Sequence, residues 1–99
     1  MHSFEVRGTA PDDFVARVTR AVSEGGLGEY VEVRLVDEEI VARMRWLGTT
    51  ELRYRVVPIE DGFRAELGRQ KIAALHAPFR RGFDERFERI LAEVGATLV

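Results

Sequence analysis

The chain has no cysteine, only two histidines and only two serines among its 99 residues. Without cysteine, no disulfide, thiolate nucleophile or thiolate-bound metal ion can form. His2 and His76 lie far apart in the sequence, and no carboxylates stand near them at the spacing of metal ligands. Neither Ser3 nor Ser23 lies in a nucleophile-elbow motif. These absences predict a protein without catalytic residues, metal ions or cofactors, and therefore not an enzyme.

A strong charge of one sign and a long apolar run are also missing. The net charge is −2, which argues against nucleic acid as a partner of the protein as a whole. No apolar run approaches the length of a membrane-spanning helix, and the amino terminus has no signal-peptide core. We therefore expect a cytoplasmic protein without a membrane span. The length and the 45% hydrophobic content predict a single domain at residues 1–99.

The clearest pattern that is present is an apolar stripe near the carboxyl terminus. It predicts a helix from Pro78 to Val99, because its members recur every three or four residues and charged residues fill the positions between them. The members of the stripe are Phe79, Phe83, Phe87, Leu91, Val94 and Leu98. If the stripe faces the core, truncating Phe83 or Phe87 to alanine should cost about 3–5 kcal/mol of unfolding free energy.

Alternating apolar and polar residues predict five strands, at 2–7, 30–36, 40–47, 51–59 and from 62 onwards. Between the first two strands, Pro11 and two following acids predict the start of a helix that ends at Gly25. One face of every strand is apolar, so both helices should cover that face. The sequence therefore predicts a two-layer α+β domain in the order β-α-β-β-β-β-α, with both helices packed on one face of a single antiparallel sheet.

Aromatic residues on the inward face have two possible roles. Trp46 and Tyr54 should point toward the helices, where core packing is the first interpretation. The alternative is an apolar pocket beneath the last helix, lined by these two residues and by Phe83 and Phe87. A closed core would exclude a carrier of apolar ligands, whereas a pocket of several hundred Å³ would favour one.

The outward face of the predicted sheet is rich in arginine. Turns centred on 38–39, 48–50 and 61–62 would place like charges on adjacent strands, at a cost of about 0.2–1 kcal/mol per pair. We name this set the arginine face: Arg34, Arg43, Arg45, Arg53 and Arg55. Three interpretations remain open: a solvated surface, an interface with a second copy or another protein, and a site for anions or nucleic acid.

One segment resembles a known family. The stretch Gly62-Phe63-Arg64-Ala65-Glu66-Leu67, the later Ala77-Pro78-Phe79-Arg80 and the amphipathic helix after it resemble the polyhydroxyalkanoic acid system family. That family consists of short bacterial proteins associated with storage-polymer granules. The element order also resembles helix-grip and TBP-like proteins, although TBP binds DNA with an apolar sheet face and the corresponding face here carries Arg and Glu. The resemblance implies a binding role at a granule and supplies no catalytic residue.

Taken together, these patterns favour a non-enzymatic binding or interaction module. An apolar-ligand carrier of helix-grip type is one alternative, and anion or nucleic-acid binding through the arginine face is another. A homodimer or another protein partner would use the same outward face of the sheet.

Overall fold

The computed structural model describes residues 1–99 and contains six strands, two α-helices and one 3₁₀ helix. The strands form one antiparallel sheet in the order β2-β3-β4-β5-β1-β6, so the predicted α+β class with a single antiparallel sheet and two helices is confirmed. Neither helix has the combination of length and apolar character that crossing a bilayer requires. The elements are β1 (Phe4–Arg7), α1 (Pro11–Glu24), β2 (Val31–Val36), β3 (Glu39–Arg45), β4 (Thr49–Ile59), β5 (Gly62–Lys71), the 3₁₀ helix (Ala74–Phe79), α2 (Arg80–Glu93) and β6 (Ala96–Leu98).

Helix α1 follows the local signals in the sequence. Pro11 occupies the first turn, where its missing amide hydrogen costs nothing, and Asp12 and Asp13 lie at the positive end of the helix dipole. Gly25 caps the carboxyl end, and its amide donates to the carbonyl of Ala21. The helix therefore begins and ends where the sequence predicts.

The hydrophobic core contains residues from every strand and both α-helices. Its aromatic centre is built by Phe4, which packs against Phe14 at 5.5 Å and against Tyr54 at 5.1 Å between ring centroids. Helix α2 contributes Phe87 and Leu91, which are almost completely buried. The alternating strand residues and the helix stripes therefore meet in one cluster. Its members are Phe4, Val6, Phe14, Val15, Val18, Val22, Val31, Val33, Ile40, Ala42, Leu52, Tyr54, Phe63, Ala65, Phe87, Leu91 and Ala96.

The predicted bounds of the last helix are wrong at both ends. Helix α2 begins at Arg80, after a 3₁₀ helix, and ends at Glu93. Gly95 has a φ of 105°, a left-handed conformation that ends a helix and that glycine adopts without strain. The chain beyond it forms β6, in which Leu98 pairs with Phe4 of β1 rather than extending the helix stripe.

The predicted strand registers are also wrong. Arg34 pairs with Val41 rather than with Arg43, because the first hairpin turns at 37–38 instead of 38–39. Arg43 pairs with Glu51 rather than with Arg55, and a bulge between Leu52 and Tyr54 changes the register along β5. Next to each turn the shift is an even number of residues, so the apolar positions there keep their face while the partners on the polar face change. Beyond the bulge the β4–β5 register differs by one residue, and Leu52 lies opposite Gln70.

Trp46 lies just beyond the end of β3 and outside the core cluster, contrary to the preferred interpretation of it as a core residue. The next two residues, Leu47 and Gly48, have φ values of 53° and 128°. This pair of left-handed conformations turns the chain out of the strand. As a result the Trp46 side chain remains 45% exposed at the edge of the core.

Candidate apolar binding groove

An open apolar groove lies where the end of β3 meets the start of α2. Its volume is about 710 Å³, and most of its lining is apolar. Strands β2 and β3 form one wall, and the 3₁₀ helix and the first turns of α2 form the other. The lining residues are Leu27, Tyr30, Val31, Met44, Trp46, Pro78, Phe79, Gly82, Phe83 and Arg86.

Two aromatic side chains are exposed at this groove. Trp46 and Phe79 meet edge to face, with ring centroids 6.0 Å apart and an interplanar angle of 72°. Phe79 is 59% exposed, although it belongs to the apolar stripe that predicted the helix. Large exposed apolar groups grouped at a concave surface are typical of binding sites.

A buried histidine holds the Trp46 wall in place. His76 is 1% exposed, and its Nδ1 lies 2.7 Å from the hydroxyl oxygen of Thr50 while its Nε2 contacts the carbonyl oxygen of Trp46. The amide of Ala73 also donates to the Thr50 hydroxyl, at 3.1 Å. Because the Trp46 carbonyl can only accept, the His76 Nε2 donates to it, while Nδ1 and the Thr50 hydroxyl form the second hydrogen bond.

This small network ties the 3₁₀ helix to the strand ends. The rings of His76 and Trp46 are also stacked, with ring centroids 6.3 Å apart and an interplanar angle of 13°. Sequence reasoning placed His76 only at a helix entrance and missed its structural role. No local pattern indicated it, because Thr50 and Trp46 come next to His76 only through the fold.

The four predicted pocket residues separate into two pairs. Trp46 and Phe83 line the groove. Tyr54 and Phe87 do not line it, because each is 1% exposed and belongs to the core cluster. Phe83 stacks on Phe87 at 5.8 Å, so the groove wall continues directly into the core.

The Tyr54 hydroxyl is buried and has no hydrogen-bond partner. Burial raises the pKa of the phenol well above its ordinary value, and the negative charges of Glu88 and Asp84 raise it further. The hydroxyl therefore stays protonated and is not a base for any reaction near neutral pH.

Every member of the arginine face has an acidic partner. The shifted registers place acids directly opposite Arg43 and Arg55, and no member of the face lies opposite another arginine, so the rows of like charge expected from the sequence do not form. Arg43 and Arg53 each donate a hydrogen bond to the carboxylate of Glu51, and these two hydrogen bonds lower the pKa of that carboxyl. The nitrogen–oxygen distances are 3.6 Å for Arg34–Glu32, 2.6 Å for Arg43–Glu51, 3.1 Å for Arg45–Glu32, 3.1 Å for Arg53–Glu39, 2.9 Å for Arg53–Glu51 and 3.0 Å for Arg55–Glu66.

The arginine side chains also cover an apolar residue. Val41 is only 4% exposed although it lies outside the core cluster. Its neighbours across the two adjacent strands are Arg34 and Arg53. Arginine stems pack well on apolar groups while their charged ends remain in water, so these side chains have a packing role on this face.

Comparison of the chain with protein-family models, with curated proteins and with solved structures finds no match. The resemblance to the polyhydroxyalkanoic acid system family therefore stays a prediction. Any functional assignment depends on the geometry of the groove and of the arginine face.

Proposed function

We propose that the protein is a non-enzymatic binding module, and that its ligand is a small molecule whose apolar body lies in the groove. The observation that carries this proposal is the exposure of Trp46 and Phe79 to solvent at the rim of an apolar concave surface. The groove volume of about 710 Å³ falls within the range of small-molecule sites. Covering the two rings with an apolar ligand would remove their surface from water, which favours binding.

The proposed architecture explains why a groove exists at this position. We infer that both helices cover the same face of the sheet, because Phe14 of α1 and Phe87 of α2 share one cluster with alternate strand residues. Phe83, one turn before Phe87, packs against that cluster but is only partly buried. On the amino-terminal side of Phe83, the helix no longer fills the space above the end of β3. This unfilled space is the groove.

The arginine face supports a ligand site less well. An anion there would have to compete with carboxylates that already occupy the arginines, such as Glu51 between Arg43 and Arg53. Its use as an interface with a second copy, another protein or a nucleic acid stays a prediction. The groove offers apolar surface that no part of the chain covers, so we favour the groove over the arginine face as the ligand site.

The test uses Trp46, the single tryptophan of the chain, as a fluorescent reporter inside the groove. Titration with 1-decanol should shift the Trp46 emission to shorter wavelength and saturate with one ligand per chain. Phe79→Ser should weaken this binding at least about fivefold, since it removes more than 1 kcal/mol of apolar contact.

A matched control lies on the same 3₁₀ helix. Leu75 is 61% exposed but does not line the groove, so Leu75→Ser should bind 1-decanol like the unmodified protein. The proposal fails if 1-decanol leaves the emission unchanged, or if the two variants lose binding equally.

A further inference from the structure

We propose that the ligand of the groove is an amphiphile with one anionic group, and that Arg86 binds that group. This inference rests on the proposed function, because it names the chemical class of the ligand in the same groove. The anionic group would be a carboxylate, phosphate or sulfate, and the apolar tail would cover Trp46 and Phe79.

Arg86 is the only charged residue that lines the groove. It has no carboxylate oxygen within 4 Å, which sets it apart from the two arginines at the start of the same helix. Arg80 pairs with Asp84 at 3.4 Å and Arg81 with Glu85 at 3.3 Å. The Arg86 guanidinium is therefore available for a ligand.

The position of Arg86 on α2 directs it to the same surface as the apolar lining. Phe83 and Gly82 precede it by three and four residues, and residues with these spacings are neighbours on a helix face. Apart from the neighbouring residues and the backbone of the helix itself, no heavy atom lies within 4 Å of the point that a Cβ on Gly82 would occupy. The helix surface next to Arg86 is thus open, and a small anionic group has room to lie there.

Electrostatics then selects among ligands with the same tail. A guanidinium binds carboxylates and phosphates through two parallel hydrogen bonds and repels cations. No acid lines the groove, so a cationic group would find no carboxylate there and would meet the repelling charge of Arg86. A neutral ligand would gain only the apolar contacts.

The experiment compares three ligands with one tail: decanoate, 1-decanol and decyltrimethylammonium, each below the concentration at which it aggregates. Trp46 fluorescence reports binding of all three. Decanoate should bind about fivefold more tightly than 1-decanol, which corresponds to about 1 kcal/mol for one solvent-exposed ion pair. The cation should bind most weakly, and the preference for decanoate should shrink as salt is added.

Arg86→Gln should remove the preference for decanoate, so that decanoate and 1-decanol bind this variant with about equal affinity. Arg89→Gln is the matched control, because Arg89 lies on the same helix, is exposed and has no ion pair, yet does not line the groove. This control variant should keep the preference of the unmodified protein.

The outcomes separate the two proposals. If decanoate and 1-decanol bind equally, the anionic class is wrong; if Arg86→Gln keeps the preference for decanoate, Arg86 is not the group that binds the anion. The proposed function stands in both cases. If none of the three ligands changes the Trp46 emission, the proposed function itself fails. If native mass spectrometry shows a dimer that Phe79→Ser converts to a monomer, a second copy occupies the groove and both proposals are overturned.

Discussion

At the residue scale, the buried hydroxyl of Tyr54 stands out in the core. The ring packs against Phe4, but the oxygen has no hydrogen-bond partner. A buried polar group without a partner costs about 1–3 kcal/mol, because it loses its water without replacement. The ring, which packs in the core cluster, therefore provides the contribution of this residue, and the hydroxyl adds none.

We expect Tyr54→Phe to raise the unfolding free energy by about 1 kcal/mol, since it removes the unsatisfied oxygen and keeps the ring. Urea unfolding followed by circular dichroism measures the change. Tyr30→Phe is the control, because Tyr30 is 43% exposed, so no comparable gain is expected there. A clear loss of stability in Tyr54→Phe would show that the hydroxyl has a favourable partner.

At the element scale, helix α2 divides into a core half and a groove half. Phe87 and Leu91 are buried, whereas Phe83 lines the groove together with Phe79, the last residue of the preceding 3₁₀ helix. The same spacing along the sequence thus provides both a structural stripe and a binding surface.

Phe87→Ala and Phe83→Ala should therefore differ, although the sequence predicted the same cost for both. We expect Phe87→Ala to lower the unfolding free energy by about 3–5 kcal/mol because it opens a cavity in the core. Phe83 is only partly buried, so Phe83→Ala should lower the unfolding free energy by only about 1–2 kcal/mol. Because Phe83 lines the groove, this variant should also bind the groove ligand more weakly. Thermal unfolding of the two variants compares them directly, and equal losses would contradict this division of the helix.

At the scale of the whole molecule, ion pairs connect β2, β3, β4 and β5 across the outward face of the sheet. Glu51 is central, since Arg43 and Arg53 both bind it and lower its pKa from the ordinary value of 4.5. A carboxyl whose folded pKa is depressed stabilises the folded state above its ordinary pKa. That contribution is lost as the pH falls through the lower, folded value.

We therefore expect Glu51→Gln to be less stable than the unmodified protein at about pH 7, and this difference to shrink as the pH falls below 4.5. Urea unfolding at several pH values between 7 and 3 measures the difference. Glu38→Gln is the control, because Glu38 is exposed in a turn and has no ion pair. A difference between the proteins that stays constant with pH would mean that the Glu51 ion pairs add no stability.

The fold class was predictable from the sequence because it depends on periodicity. Alternation identified the strands of the sheet, and the three-to-four spacing identified α2 and its buried Phe87. The last strand was not predictable, since the three residues of β6 are too few to show a period. Its formation depends on Gly95, which ends the helix, and on β1, which supplies the hydrogen-bond partners.

The sequence by itself determined core positions inside the regular elements, such as Val33, Tyr54 and Phe87, because apolar residues repeat there with the period of each element and even register shifts preserve that pattern. Only the tertiary structure decided what those faces meet. The hairpin turns placed Glu51 rather than Arg55 opposite Arg43, which replaced the expected repulsion with an ion pair. The left-handed turn after Trp46 and the buried His76 then left that tryptophan at an open groove, because packing depends on long-range contacts that no local pattern records.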